Sequence, residues 1–168
     1  MSPPLRLCEI AANVRAKRAR RKEAHPGELL SAALELFVEK GFAATRAEEI
    51  AQRAGVSKGT LFLYFSSKEE LFKAVVRENI SGRFPQWRAQ LDAYQGGTAE
   101  LLHLFMHQWW IHIGDTPASG ITKLLTSEAS NFPELAEFYA KEVIEPGDAL
   151  IRSILQRGMD RGEFRTID

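Results

Sequence analysis

Residues 45–65 read Thr-Arg-Ala-Glu-Glu-Ile-Ala-Gln-Arg-Ala-Gly-Val-Ser-Lys-Gly-Thr-Leu-Phe-Leu-Tyr-Phe, and this stretch decides the fold. Its pattern predicts a helix of about ten residues, a short turn that carries Gly55, and a second short helix. Apolar side chains can bury the crossing of the two helices: Ile50, Ala51, Ala54, Val56 and Leu61. The stretch is typical of a helix-turn-helix, whose second helix enters the major groove of DNA, although the spacing alone favours an ordinary helical hairpin.

Residues with strong end preferences mark the neighbouring helices. Pro26 suits the first turn of a helix and Gly41 is typical of a left-handed C-terminal cap, which predicts a first helix between them. Thr45 followed by Glu48 predicts a capping box that opens the second helix, and Ser57 is predicted to cap the third.

Helical patterns continue to the end of the chain. Ser67 and Glu70 predict another capping box and a fourth helix that runs to about Phe84, where Pro85 breaks or kinks it. No stretch alternates as a strand does, so the fold class is all-α. Further helices are predicted over residues 86–94, 98–113, 118–130 and from Pro133 onward, with a kink or split at Pro146.

Composition excludes several classes of protein. The 168 residues are 45% hydrophobic and 26% charged, as in a globular protein, and the single cysteine, Cys8, allows no intrachain disulfide. No apolar stretch is long enough to span a bilayer and no signal peptide is evident, so we expect a cytoplasmic protein without a membrane partner. The net charge of zero conceals an uneven distribution, with 14 basic and 10 acidic side chains in residues 1–80 and 8 and 12 in residues 81–168.

The exposed side of the predicted third helix suits a groove in DNA. Lys58, Gly59, Thr60 and Phe62 form a compact surface that is uncharged or basic. Lysine can donate hydrogen bonds to guanine, and threonine can contact several base edges or a thymine methyl group.

Residues 26–76 resemble the N-terminal DNA-binding domain of the TetR/AcrR family of transcriptional regulators. The matching segments are 32–37, 40–42, 45, 49–51, 54–61, 64–65 and 67–72. The helical remainder is similar to the family's ligand-binding and dimerisation domain. The resemblance implies a basic N-terminal arm (1–24), a three-helix helix-turn-helix DNA-binding domain (25–80) and a C-terminal helical bundle for effector binding and dimerisation (81–168).

The resemblance also implies which residues contact DNA. Thr45 would contact a phosphate, and Tyr64 and Lys68 would clamp the backbone. The other implied contacts are Arg46, Ser57, Phe62 and the base-facing Lys58, Gly59 and Thr60. Phe62 and Leu63 stand where tyrosines are common in the family. Phe62 lacks the hydroxyl that would bond a phosphate, and contact with a thymine methyl group can replace that bond.

The segment Arg-Ala-Lys-Arg-Ala-Arg-Arg-Lys at 15–22 is a basic run ahead of the first helix. Such an arm either lies along phosphates or in the minor groove, as homeodomain arms do, or is simply solvated. It lacks the apolar face that binding to a membrane surface requires. The sequence leaves the first two alternatives open.

Three histidines lie on the predicted 98–113 helix. His103 and His107 share a face, whereas His112 falls roughly opposite, so one helix cannot gather all three around a metal ion. We expect no metal site, and we expect these histidines to line a pocket or to satisfy buried polar contacts. Because apolar residues surround most of this helix, it is predicted to be central to a core.

The same helix carries two adjacent tryptophans. Adjacent helical positions differ by about 100°, so both rings cannot face the same core, and one must face a cavity, a neighbouring element or a subunit interface. The resemblance implies a ligand cavity here. Its predicted wall consists of Phe105, Met106, His107, Trp109 and Trp110.

Together with these observations, the resemblance implies a sequence-specific repressor that binds a palindromic operator as a homodimer and is released by a small apolar or aromatic effector. No catalytic constellation or cofactor motif stands out, so neither enzymatic activity nor a cofactor is expected. The alternatives are a helical protein-interaction module without a ligand response and a histidine-dependent metal-binding protein. The chain is shorter than the family pattern by about one helix, which predicts a partly uncovered apolar face formed by Leu150, Ile151, Ile154 and Leu155.

Overall fold

The computed structural model describes residues 26–166, and all secondary structure within that range is helical. The all-α prediction is thus confirmed. The chain divides after Leu71 into two compact units, whereas the boundary at residue 80 stays a prediction. Within the described range, no helix has the length and apolar character needed to cross a membrane. The basic run at 15–22 lies outside the described residues.

The first unit contains α1 (Pro26–Lys40), α2 (Ala47–Arg53), α3 (Lys58–Tyr64) and the start of α4 (Lys68–Asn79). As predicted, α1 ends at Gly41, whose φ of 83° lies in the left-handed region that favours glycine. The Phe37 and Phe42 rings stack in the core with centroids 5.5 Å apart. Other fully buried side chains of this unit are Leu29, Leu36, Ile50, Leu61 and Leu71.

The start of α2 differs from the prediction. The helix begins at Ala47 with Arg46 as its N-cap residue, and the Arg46 amide donates a hydrogen bond to Glu49 Oε2 at 3.2 Å. The predicted box of Thr45 and Glu48 is wrong, because the Thr45 hydroxyl turns into the core and cannot cap the helix. The carboxylate that reaches back is therefore one position further along the chain.

The starts of α3 and α4 agree with the predicted caps. Ser57 Oγ accepts a hydrogen bond from the Thr60 amide at 3.1 Å, and Ser67 Oγ accepts one from the Glu70 amide at the same distance. These bonds satisfy amides that have no partner within their own helix. Both helices therefore begin where the sequence places them.

The end of α4 lies earlier than predicted. The helix stops at Asn79, and Ile80 leaves the helical conformation with φ −127° and ψ −77° before a 3₁₀ turn at Ser81–Arg83. Pro85 lies in the first turn of the next helix, where proline has no hydrogen bond to lose. The extension of α4 to Phe84 is therefore wrong, since Pro85 opens a helix and does not break one.

The second unit continues with helices that are joined by short turns. They are α5 (Phe84–Ala93), α6 (Thr98–Trp109), a π-helical turn (Trp110–Gly114), α7 (Ser119–Glu128), α8 (Pro133–Tyr139), a second π-helical turn (Ala140–Ile144) and α9 (Glu145–Asp160). Pro146 lies in the first turn of α9. Helical conformation continues from α8 through the π-helical turn into α9 without a break, so the predicted split at Pro146 is wrong and a kink there stays a prediction.

The second unit buries α6 less than predicted. Among its large apolar side chains only Leu101 is fully covered, whereas Leu104, Met106 and Trp109 are exposed. The core of the unit comes from other helices, through Trp87, Leu91, Ile121, Leu124, Leu125, Leu135, Leu150 and Ile154. The prediction that α6 is central to the core is wrong, because an apolar pattern around a helix does not show which sides its neighbours cover.

The predicted uncovered face of α9 is also smaller than expected. Leu150 and Ile154 are buried within the second unit, and Leu155 is half-buried. Ile151 is exposed, as is Ile144 in the π-helical turn that precedes α9. The uncovered apolar side chains at this end of the chain are therefore these two isoleucines.

Candidate functional site

A tight turn joins α2 to α3. Gly55 adopts a φ of 74°, a left-handed conformation that side chains rarely tolerate. The Val56 amide then donates to the Ala51 carbonyl oxygen at 2.9 Å, which closes the turn. Ile50 and Leu61 are fully buried on the two helices. This is the helix-turn-helix that the stretch 45–65 predicts.

The helix α3 exposes most of its side chains. Leu61 is its buried residue, whereas Ser57, Lys58, Gly59, Phe62 and Tyr64 are exposed and Thr60 is half-exposed. The structure thus brings six of the predicted DNA contacts together on one short helix and its N-cap. The residue with the most exposed apolar side chain, Leu63 at 84%, is not one of the predicted contacts.

Among residues 26–71, no atom packs closely against the position of Gly59. A Cβ built at this position would meet only Ser57 Oγ, at 3.7 Å, which is an ordinary contact. Glycine inside a helix costs about 0.5–1 kcal/mol relative to alanine. The packing of the described residues therefore does not require a glycine at this position.

Lys58 is held by two neighbours. Its Nζ lies 2.5 Å from Glu48 Oε1 on α2 and 5.7 Å from the centre of the Phe62 ring. The hydrogen bond from Lys58 lowers the pKa of the Glu48 carboxyl from its ordinary value. The base-facing cation predicted from the sequence therefore has a carboxylate partner on the other helix of the motif.

Thr45 cannot make the predicted phosphate contact in this conformation. Its side chain is buried, and its hydroxyl lies 2.7 Å from the Gly41 carbonyl oxygen and 3.1 Å from that of Leu36. The hydroxyl therefore ties the segment before α2 to the end of α1. The resemblance to the family identifies Thr45 by its place in the sequence, but it does not show in which direction the side chain points.

Lys68 is also directed inward. Its Nζ donates to the carbonyl oxygens of Phe42 at 2.8 Å and Thr45 at 3.0 Å, with Ala43 at 3.4 Å, and lies 4.4 Å from the centre of the Phe42 ring. An ammonium group has three donors, and these carbonyls engage all of them. The predicted backbone clamp is thus, in this structure, a brace for the segment between α1 and α2.

The remaining cations of this part of the first unit differ in their partners. Lys40 pairs with Glu49 at 2.8 Å, and Arg53 binds Glu39 through two contacts of 2.9 and 3.1 Å. Among residues 26–71, Arg46 is the basic residue whose side chain has neither an ion pair nor a hydrogen bond. It is exposed one residue before α2, as a predicted DNA contact should be.

A half-open cavity of about 380 Å³ lies within the second unit, and we call it the α6–α9 cavity. It contains three of the five predicted ligand contacts, Phe105, Met106 and Trp109. The rest of its lining is Ile80, Phe84, Ile113, Thr122, Tyr139, Val143, Ile144, Gly147 and Ile151. No side chain of this lining is charged.

Two predicted ligand contacts lie elsewhere. His107 and Trp110 are exposed and are not part of the lining of this cavity. The helical rotation that separates Trp109 from Trp110 leaves the Trp110 ring 56% exposed. The expectation that the histidines line a pocket or make buried contacts is wrong for His103 and His107, because both are exposed. Half-buried His112 bonds Gln108 at 3.1 Å.

The polar groups of the α6–α9 cavity belong to a hydroxyl pair. Thr122 Oγ1 and Tyr139 Oη are 2.7 Å apart, and either can be the donor. Burial raises the pKa of the Tyr139 phenol above its ordinary value, so the group stays neutral at physiological pH. A ligand in the cavity would therefore meet an apolar wall and neutral hydroxyl groups.

A second cavity of about 440 Å³ lies on the other side of Phe105, between α5 and α6. Its polar groups are Gln90, Gln108 and Tyr94, and no lining side chain carries a charge. The Phe105 ring stands edge-on to Trp87 at 5.7 Å. Within residues 26–166, no cluster of three or more His, Cys, Asp and Glu side chains is arranged to hold a metal ion.

Comparisons with known proteins agree with this architecture. Residues 29–75 match the family model of bacterial regulatory proteins, tetR family. The HTH-type transcriptional regulator RutR of Escherichia coli K12 is 43% identical over 95 residues, which span 56% of this chain and 43% of RutR. A solved chain from Mesorhizobium loti, described as a TetR-family transcriptional regulator, superposes with a TM-score of 0.64 at 26% identity and covers 86% of this chain and 70% of that one.

The chain belongs to the TetR family of transcriptional regulators. Membership identifies a regulator and not an enzyme. The HTH-type transcriptional repressor KstR2 of Mycolicibacterium smegmatis is 30% identical over 142 residues, which span 82% of this chain and 66% of KstR2. The chain spans less than half the length of RutR.

Two groups of residues in this TetR-family chain escape prediction from the sequence. The sequence assigns Glu48 to a cap, whereas its contact with Lys58 joins two helices that the sequence does not orient. The far wall of the α6–α9 cavity comes from α7, α8 and α9, through Thr122, Tyr139, Val143 and Ile151. The apolar pattern of those helices indicates burial, but it does not distinguish a core from a cavity.

Proposed function

We propose that this TetR-family regulator is a repressor that reads a palindromic operator with α3 and releases it when a small effector occupies the α6–α9 cavity. The observation that carries the proposal is the exposed surface of α3, above all Gly59. This glycine weakens a short helix and leaves space that none of residues 26–71 fills. A glycine is needed at this position if the backbone of α3 must come close to a base edge.

The other groups on this surface suit the major groove. Lys58 offers donors for guanine, and the Thr60 hydroxyl, which lies 2.9 Å from Ser57 Oγ, can also bond a base edge. The Phe62 ring offers an apolar contact for a thymine methyl group. Arg46 and Tyr64 are exposed near the two ends of the motif, where phosphates are accessible from the groove.

We propose further that the basic run at 15–22 supplies much of the affinity for phosphates. Residues 26–71 contain five basic and seven acidic side chains. Sequence-independent affinity for DNA requires cations that neutralise phosphates. Since Lys40, Arg53 and Lys68 already have partners within the first unit, the arm is the larger reserve of charge.

The α6–α9 cavity supports an effector that is uncharged and mainly apolar. A charged ligand would lose its hydration without finding an opposite charge in the lining. The pair of Thr122 and Tyr139 can donate to or accept from a single polar group, such as a hydroxyl or a carbonyl. Cavities of this size and polarity are typical of small-molecule sites.

The cavity has a physical connection to α4. Arg77 of α4 donates to Glu142 at 3.3 Å, and its guanidinium lies 5.0 Å from the centre of the Phe138 ring. Glu142 belongs to the same π-helical turn as Val143 and Ile144, which line the cavity. An effector that displaces this turn would therefore displace α4, which begins in the first unit.

Release of the operator requires that the effector favour the conformation that binds DNA poorly. A coupling of about 1–3 kcal/mol would weaken DNA binding roughly 5–150-fold, and the operator would weaken effector binding by the same factor.

A homodimer would place two copies of α3 on half-sites separated by about one helical turn or a multiple of it. Because a repressor must reach its operator, we also propose that the protein acts in the cytoplasm.

The test has two steps. DNA is first selected from a random pool by the full chain, and we expect a palindromic site. Neutral aromatic and aliphatic compounds are then screened for release of that site, with tryptophan fluorescence recorded for the wild type, Trp109→Phe and Trp110→Phe. We expect Trp109→Phe to lose most of the response and Trp110→Phe, the matched control, to keep it. An effector that releases the operator and leaves the Trp109 signal unchanged would place the effector site elsewhere.

A further inference from the structure

The ion pair between Glu48 and Lys58 lies on the exposed side of the helix-turn-helix. Glu48 belongs to the first turn of α2 and Lys58 is the first residue of α3. Their side chains remain 57% and 54% exposed, so either can turn to another partner without unfolding the unit. The Phe62 ring, one helical turn after Lys58, keeps the ammonium group on the outer side of α3.

Stability does not explain this pair. Ion pairs between exposed side chains contribute little to folding. A carboxylate near the start of a helix is favourable, but Glu49 already fills that role at α2, where it binds the Arg46 amide and pairs with Lys40. Glu48 therefore places a negative charge on the proposed DNA-facing side of the protein without a structural need.

A cation and an anion side by side match one kind of base pair. In the major groove a G·C pair presents two adjacent acceptors, guanine N7 and O6, followed by one donor, the cytosine N4 amino group. In an A·T pair the adenine amino group lies between two acceptors, so an ammonium group that spans neighbouring positions meets a donor. The Lys58 ammonium and the Glu48 carboxylate are thus complementary to G·C.

We propose that Glu48 and Lys58 read one G·C base pair as a unit, with Lys58 donating to guanine O6 and N7 and Glu48 accepting from cytosine N4. Glu48 is then a specificity-determining residue. In an A·T pair the one donor lies between two acceptors, and in a C·G pair the order of the groups is reversed, so neither pattern matches a cation followed by an anion. The inference rests on the proposed function, because it requires that α3 lie in the major groove.

The experiment compares the sites that four proteins select from one random DNA pool: the wild type, Glu48→Gln, Lys58→Met and Glu28→Gln. Glu28 is exposed in the first turn of α1 and has no ion-pair partner among residues 26–166, so Glu28→Gln removes the same charge at a different place in the same unit. The wild type should enrich a G·C pair at one position of each half-site. Glu48→Gln and Lys58→Met should both relax that position, with at least about a fivefold loss of discrimination. Glu28→Gln should keep the wild-type preference.

Salt dependence separates a base contact from a phosphate contact. If Lys58 reads a base, Lys58→Met leaves the slope of log K against log salt unchanged. A slope that is shallower by about 0.9 would show that Lys58 neutralises a phosphate and would overturn the proposal. The proposal would also be overturned if Glu48→Gln retained the base preference that Lys58→Met relaxes and so behaved as Glu28→Gln does. A wild type that selects no sequence would instead refute the proposed function.

Discussion

The exposed sides of α3 and α6 both carry large apolar side chains, but their surroundings differ. On α3, the exposed Phe62 and Leu63 lie one helical turn from Lys58 and Gly59, so apolar and hydrogen-bonding groups occur together on a helix of seven residues. On the cavity side of α6, Met106 and Trp109 continue into an uncharged, mainly apolar lining. The first arrangement suits a polar, charged partner, whereas the second suits an apolar ligand.

This difference teaches that exposure alone does not identify a binding partner. Leu63 on α3 is more exposed than any large apolar residue of α6. The groups around an exposed apolar side chain indicate its partner. Hydrogen-bonding groups next to it can bond base edges, whereas a continuous apolar wall cannot. The same reasoning separates Lys58, which faces outward, from Lys68, which is used within the fold.

The largest expected effect comes from deleting the basic N-terminal segment, because residues 26–71 contain more acidic than basic side chains. Deleting residues 1–22 should flatten the dependence of log K on log salt by ~0.9 for each phosphate that the arm neutralises. The segment contains seven basic side chains and one acidic side chain. The matched control is the deletion of residues 1–14, whose only charged side chains, Arg6 and Glu9, have opposite charges. An unchanged slope in the longer deletion would show that the arm is merely solvated.

Gly59→Ala should separate recognition from folding on α3. The free energy of unfolding should rise by about 0.5–1 kcal/mol, because the helix loses a flexible residue and the new methyl group meets no close atom. Affinity for the selected operator should fall roughly tenfold, as expected when the helix can no longer approach a base edge closely. Thermal unfolding and a binding titration measure the two effects.

Gly27→Ala in α1 is the control for this prediction, since that position is also helical and open. It should leave operator affinity unchanged. If Gly59→Ala binds the operator as tightly as Gly27→Ala does, the α3 surface is not in the groove.

Local chemistry explains which parts of this molecule could be predicted from the sequence. Gly41, Ser57 and Ser67 act on amides or dihedral angles within a few residues, so the sequence places them correctly. The directions of the Thr45 hydroxyl and the Lys68 ammonium depend on the segment between α1 and α2. Sequence resemblance assigns a role to a position, but it cannot show that the hydroxyl or ammonium group there already donates to a neighbouring carbonyl oxygen.

The cavity could be predicted only in part for a similar reason. Phe105, Met106 and Trp109 share one side of α6, which the helical period shows. The opposite wall belongs to α7, α8 and α9, and its location depends on two π-helical turns. These turns have no sequence signal as clear as a cap, so the wall could be found only from the fold.

Lys68→Met should lower the free energy of unfolding and leave the salt dependence of DNA binding unchanged. The carbonyl oxygens of Phe42 and Thr45 lose a charged donor, which costs on the order of 1–3 kcal/mol. Denaturant unfolding and binding titrations at several salt concentrations measure the two quantities. Lys40→Met, which breaks an exposed ion pair, is the control and should change stability little. A salt slope reduced by about 1 at unchanged stability would restore Lys68 as a phosphate contact.

The smallest expected effect concerns the start of α6. The Glu163 carboxylate accepts a hydrogen bond from the Thr98 amide and pairs with Arg161 at 2.7 Å. The Thr98 amide is the main reason that the pKa of Glu163 lies below its ordinary value of 4.5. The folded state therefore favours the carboxylate, so this stabilisation is complete above that value and is lost as the pH falls through the lowered pKa.

Glu163→Gln should accordingly reduce the loss of stability between neutral pH and about pH 3. Glu134→Gln, at an exposed acid in the first turn of α8, is the control for a general loss of negative charge. Equal acid sensitivity of the wild type and Glu163→Gln would contradict this role.

The central claim is that α3 reads sequence, and the most direct measurement is the ratio of two affinities at one fixed salt concentration. The full chain is titrated with the operator selected from the random pool and with a scrambled duplex of the same length and composition. We predict a ratio of about 10³ or more, as is typical of specific DNA recognition. A ratio near one would show that the protein binds only phosphates, and the account given for Gly59 and Lys58 would be wrong.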